Sequence, residues 1–163
     1  MRAYVGVGTN LGDRWAHLAL AARELRAAAG IAFLRGSRVY DAAPMGPSQP
    51  RYLNAVVELE STLPPEKLLA ALQVVEQAAL RERGLRWGPR TLDLDLLLFG
   101  DEVVRTASLT VPHPGLISRR FVLAPLAELC PERIVPGTGA TVADLLRAVP
   151  PFDMWAVGLY PSP

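Results

Sequence analysis

Apolar runs alternate with polar breaks along the chain, and their spacing predicts a succession of strands and helices. Residues 3–8 read as a buried opening strand, followed by a turn at Thr9-Asn10-Leu11-Gly12 and by Asp13 as a helix N-cap. Over 13–29 the positions Trp15, Leu18, Ala22, Leu25 and Ala29 recur in steps of three and four, the stripe of an amphipathic helix that stops at Gly30. Residues 31–40 suggest a strand, and 42–51, with three prolines, a glycine and a serine, predict a true loop. A β-rich segment covers 52–60. Pro64-Pro65 then opens a helix whose buried face is marked by Leu68, Leu69, Leu72, Val75 and Ala79.

Further on, 81–89 predicts an arginine-rich loop with two glycines. Residues 91–99 predict a strand in which leucine and aspartate alternate before a fully apolar end. A short strand at 102–105, short helices at 121–129 and 142–149, and a proline-bracketed tail at 150–163 complete the pattern. The order strand, helix, strand, strand, helix, strand predicts an α+β fold. Its expected form is a ferredoxin-like βαββαβ core with helices packed on one sheet, plus additional short strands and C-terminal helices. Without repeats or linkers, residues 1–163 are expected to form a single domain.

Composition narrows the partners. Half of the 163 residues are hydrophobic, enough for a core without disulfides or structural metal. The net charge is +1 with the arginines dispersed, so no polyanion-binding stripe is present and nucleic acid is not an expected partner. The single Cys130 reads as a buried small hydrophobe in a reducing compartment. No apolar run approaches a membrane span, and the expected location is the cytoplasm.

The chemistry concentrates at 86–95, Arg-Trp-Gly-Pro-Arg-Thr-Leu-Asp-Leu-Asp. On a strand, Leu92, Leu94 and Leu96 face the core while Asp93 and Asp95 share the other face, with Cα atoms roughly 6.6 Å apart. Such a pair, with no histidine or thiolate beside it, suits magnesium held jointly with substrate phosphates. An exposed acidic strand edge offset by nearby arginines fits the carboxylates equally well. Arg81, Arg83, Arg86 and Arg90 stand just upstream and can form either a triphosphate clamp or a solvated cationic loop.

Tyr52 and Asn54 would likewise share one strand face, as a ring for stacking and an amide for reading an edge, although Tyr52 alone reads as core. His113 lies near Arg119 and Phe121, a trio suited to nucleotide and ring contacts, although a lone histidine among prolines reads as structural. The Gly6-Val7-Gly8 run lacks dinucleotide-motif spacing and context, and no P-loop motif occurs. An ordinary kinase that releases ADP and a ligand- or RNA-binding module with Tyr52 and Phe121 as stacking platforms are alternative readings.

The decapeptide at 86–95 closely resembles the signature of the 6-hydroxymethyl-7,8-dihydropterin pyrophosphokinase family. The resemblance extends through Gly8-Thr9-Asn10-Leu11-Gly12, Pro44-Met45-Gly46-Pro47, Gln49-Pro50, Tyr52-Leu53-Asn54, Val111-Pro112-His113-Pro114 and residues 119–126. It implies that Asp93 and Asp95 bind two Mg²⁺ ions on ATP, that Arg81 and Arg90 lie on the phosphates, and that AMP leaves as the pterin oxygen attacks. It also implies a pterin sandwiched by Tyr52 and Phe121 and read by Asn54, with Thr9, Asn10, Ala43 and Met45 in the same pocket and Trp87 closing over it. Gln73, Glu76, Arg83, Thr110, His113 and Arg119 would contact the nucleotide. Ala42-Ala43 stands where the family often has threonine and proline, the loop before Trp87 is shorter by about one residue, and Pro114 follows His113. The loop at 81–89 is expected to order over MgATP and pterin, and the protein to be a monomer whose partners are these two small molecules.

Overall fold

A computed structural model, which describes residues 1–46, 48–82 and 91–161, builds the chain around β1 (Arg2–Thr9). This strand lies between two antiparallel neighbours, β4 (Tyr52–Ser61) and β5 (Asp93–Phe99). The segment at 31–40 forms two strands instead of the expected one, β2 (Ile31–Gly36) and β3 (Arg38–Ala42), and both pair with β4. The break falls at Ser37, whose hydroxyl accepts from Val56 N–H at 2.9 Å and donates to Arg38 O at 2.8 Å, so a side chain stands in for the ladder. With β2 and β3 counted as one interrupted strand, the core strands lie in the order fourth, first, third, second, as the ferredoxin-like pattern requires.

Helix α1 (Arg14–Ala27) begins where predicted, with the Asp13 carboxylate accepting from Ala16 N–H at 3.1 Å. Leu18, Ala22 and Leu25 are buried as expected, joined by His17, Leu20 and Ala21. Trp15 and Ala29 depart from the predicted stripe. Ala29 lies beyond the helix end, and Trp15 is exposed at the edge, its ring lying 3.2 Å from where a Cβ on Gly158 would stand. Helix α2 (Pro65–Glu82) buries Leu68, Leu72, Val75 and Ala79, with Leu69 partly buried beside them. It continues through residues 81 and 82, which the sequence assigned to a loop.

Both helices cover one face of the sheet, and Leu92, Leu94 and Leu96 enter that core as predicted. The opposite face is covered separately. After a small hairpin of β6 (Val104–Arg105) and β7 (Thr110–Val111) come a single 3₁₀ turn at Leu116–Ser118, α3 (Arg120–Leu129) and α4 (Val142–Ala148). Leu116, Leu123, Leu126 and Val142 from this layer close over Tyr4, Val56, Leu97 and Leu98. Leu97 and Leu98 reach the same core because Tyr4 pairs with Leu98 and Val5 with Leu96, which leaves Leu97 as the extra residue of a bulge. The fully apolar end of β5 is thus packed on both faces.

At the far end of this layer Glu58 is buried against two guanidiniums, Arg2 and Arg35, and Arg35 also donates to Leu129 O at 2.7 Å, tying the end of α3 to the sheet. Cys130, just beyond α3, is partly buried with its thiol 3.6 Å from Leu126 O, and burial pushes that thiol up to about 11.

The proline-bracketed tail forms an edge strand, β8 (Met154–Leu159), antiparallel to β3. Tyr160 then turns inward and donates to Leu18 O at 2.9 Å. No helix among the described residues is long and apolar enough to cross a membrane.

A Cβ on Gly36 would stand 2.6 Å from the Tyr160 Cβ, near the backbone where the side chain cannot swing away. Gly36→Ala is therefore expected to cost about 1–3 kcal/mol, and a wild-type urea midpoint would refute this packing.

Tyr40 donates to the Glu128 carboxylate, and burial together with this bond pushes its phenol from 10.0 up to about 12. A raised phenol favours the neutral form in the folded state. Its contribution is complete below the ordinary tyrosine value and is lost as the pH climbs through the folded one, between about 10 and 12. Urea midpoints measured across that window should fall less steeply in Tyr40→Phe than in wild type.

Candidate active site

Helices α3 and α4 cover only part of their face of the sheet, and the uncovered part is shaped by missing side chains. β1 presents Gly6 and Gly8 there. In register, Gly6 lies between Val56 and Asp95, and Gly8 between Asn54 and Asp93. With no side chain from the middle strand, Tyr52 and Asn54 on β4 and Asp93 and Asp95 on β5 face one cavity across a bare floor. A Cβ on Gly8 would come 3.1 Å from Asn54 Oδ1, so any larger residue there would push the amide from its place.

Three further segments complete the walls: Ala43, Met45 and Gln49 from the loop before β4, His113 and Arg119 after β7, and Phe121 and Val122 from the first turn of α3. The predicted residues Ala43, Met45, Tyr52, Asn54, Asp93, Asp95, His113, Arg119 and Phe121 all line this cavity. Gly6, Gly8 and Gln49 line it as well, beyond the residues expected from sequence. For the glycines, period-two spacing within a strand is the signal that marks them.

Electrostatics differ along the walls. Burial first, and then the negative charge of Asp93, raise the Tyr52 phenol above its usual range, so Tyr52 faces the cavity as a neutral ring. His113 is tethered by donation from its backbone N–H to Leu97 O at 3.0 Å, and its Nδ1 accepts from Gly115 N–H at 3.0 Å. With Nδ1 occupied as an acceptor, the ring proton resides on Nε2, which points toward Asp95 Oδ1 at 4.0 Å.

Several predicted residues lie elsewhere. Thr9 is fully buried and donates to Thr91 O at 2.6 Å, with His17 Nδ1 at 3.2 Å, so its hydroxyl braces the entry to β5 instead of facing the cavity. Asn10 uses its amide on Gln49 Oε1 at 3.0 Å and Pro50 O at 3.1 Å, holding the loop that forms one wall. The Glu76 carboxylate accepts from Leu94 N–H at 2.9 Å and so joins α2 to β5. Gln73 is exposed on α2, and Thr110 is exposed on β7. Arg81 occupies the last turn of α2, while Arg83, Arg86, Trp87 and Arg90, with the expected loop ordering, lie outside the described residues.

Comparison with known proteins bears directly on this arrangement. Residues 4–131 match the model of the 7,8-dihydro-6-hydroxymethylpterin-pyrophosphokinase family. The 2-amino-4-hydroxy-6-hydroxymethyldihydropteridine pyrophosphokinase of Synechocystis is 43% identical over 155 residues, covering 95% of this chain and 80% of the relative. The protein of the same name from Pseudomonas aeruginosa is 41% identical over 150 residues, covering 91% and 92%. Among solved structures, the Plasmodium falciparum HPPK-DHPS with pteroate superposes with a TM-score of 0.71 at 13% identity, covering 90% of this chain and 42% of that one. That likeness establishes the shared fold, with this chain spanning less than half of the longer protein. Through the family match and the two curated relatives, the chain belongs to the 7,8-dihydro-6-hydroxymethylpterin-pyrophosphokinase family and is a pyrophosphokinase.

Proposed function

We propose that the chain transfers the pyrophosphoryl group of MgATP to the hydroxymethyl oxygen of 6-hydroxymethyl-7,8-dihydropterin, releasing AMP, in folate biosynthesis. A cytoplasmic location and a monomeric state belong to the same reading. The observation that carries it is the shared cavity: a carboxylate pair on one strand and a ring with an amide on another, facing the same glycine floor.

The donor chemistry fits magnesium. No cluster of three or more histidine, cysteine, aspartate or glutamate residues capable of holding a metal occurs among the described residues. What the cavity offers is two hard carboxylates on one strand face, the partial ligand set that Mg²⁺ completes with phosphate oxygens and water. Asp93 and Asp95 would hold two ions, which when bound supply positive charge to the transferring phosphates.

The protein's own groups do the positioning. Tyr52 and Phe121 present flat rings to the pterin, Asn54 reads its polar edge, and Ala43 and Met45 close that end, with Trp87 as the cover. His113 and Arg119 face the nucleotide side, and the family resemblance adds Gln73, Glu76, Arg83 and Thr110 there. Arg81 and Arg90 grip the phosphates as charge develops. Transfer of this kind asks for alignment and charge neutralisation, so no strong general base is assigned.

Incubation of the protein with MgATP and the pterin is expected to yield AMP in step with pterin diphosphate. ADP in its place would overturn the reading. Asp95 is half exposed and fills no core volume, so Asp95→Asn should lower turnover on the order of 10²-fold or more with an unchanged thermal midpoint. Turnover near wild type would remove Asp95 from the metal site.

A further inference from the structure

The segment joining α4 to β8 lines no part of the cavity, yet it is fastened to two of its walls. The Phe152 ring packs on Phe121 with centroids 5.6 Å apart and planes inclined at 45°. Phe121 belongs to the first turn of α3, whose N-cap residue Arg119 makes no side-chain capping bond.

The backbone beside Phe152 is held firmly. Asp153 O accepts from Ala43 N–H at 2.9 Å, the start of the loop that forms one wall. At the other end of the same loop, Arg51 donates to Asp153 Oδ2 at 3.0 Å and to Asp153 Oδ1 and O at 3.3 Å. The Arg51 guanidinium also lies 4.4 Å from the Trp155 ring centroid, and Met154 enters the ladder opposite Ala42. Phe152 is therefore the side chain through which an anchored segment presses on Phe121.

We infer that Phe152 is a positioning residue for the pterin: it sets the tilt of Phe121 from outside the cavity and so determines how well that ring meets a flat heterocycle. This rests on Phe121 being a stacking platform, as proposed above. A Phe152 that merely covered apolar surface would affect stability and leave ligand affinity untouched.

Binding of 6-hydroxymethyl-7,8-dihydropterin and of MgATP, with thermal midpoints, is measured for Phe152→Ala, Phe152→Leu, Phe121→Ala and the Phe121→Ala/Phe152→Ala pair. Phe152→Ala is expected to weaken pterin about fivefold, the scale of one aromatic pair, and to leave nucleotide binding unchanged. The double variant should bind pterin no worse than Phe121→Ala alone, because Phe152 acts only through that ring. Weakening by Phe121→Ala without any by Phe152→Ala overturns the inference and spares the site assignment. Wild-type affinity in Phe121→Ala overturns both. If Phe152→Ala lowers the thermal midpoint, Phe152→Leu, which keeps apolar bulk, decides: selective pterin weakening supports the inference, and loss shared by both ligands or absent from both refutes it.

Discussion

The alternation of side chains along Val5–Thr9 of β1 and the stretches of β4 and β5 paired with it, on the cavity side of the Leu97 bulge, is the constraint on which the rest of this structure depends. One face receives Val5, Val7, Leu94 and Leu96 and is sealed by α1 and α2. The same alternation sends Tyr52, Asn54, Asp93 and Asp95 to the other face, where a slip of one residue would bury the carboxylates under the helices. Register in the packed layer therefore protects register in the cavity, and core stability and site geometry are the same physical fact seen from two sides.

The central strand contributes by omission. Glycine at 6 and 8 weakens β1 as a strand, since each loses backbone entropy and packs nothing. Its neighbours on both sides supply the support, with unbroken antiparallel pairing to β4 and, from Val5 to Gly8, to β5. The outer walls are then carried by less regular pieces: a proline-rich loop held by Asn10 and Asp153, a histidine tethered to Leu97, and a ring at a helix end.

The two polar pairs that flank the glycine floor are legible in the period-two pattern of the sequence, whereas the floor itself, Gly6 and Gly8, is not among the expected site residues. Asp93 with Asp95 and Tyr52 with Asn54 follow from strand geometry alone, and the elements of the core follow from their apolar spacing. What the sequence hides depends on contacts between distant segments. Thr9 looks like a polar loop residue, and only the meeting of β1, α1 and the start of β5 explains its burial. Ser37 divides a strand because Val56 happens to need an acceptor there. Tail residues 150–163 show no strong strand pattern, since β8 is an edge strand with Trp155, Val157 and Leu159 largely exposed. Trp15 escapes the expected burial because helical periodicity names a stripe without saying where the sheet it packs on comes to an end.

The environment of Cys130 has a practical side. With its thiol pushed up to about 11 by burial and its sulfur against a helix carbonyl, Cys130 is held in its poorly nucleophilic thiol form at neutral pH. It is also the sole cysteine of the chain. A fluorophore could therefore be attached to a cysteine engineered at a chosen cavity wall with the native residue left in place, giving an optical reporter of ligand arrival in an otherwise unaltered protein.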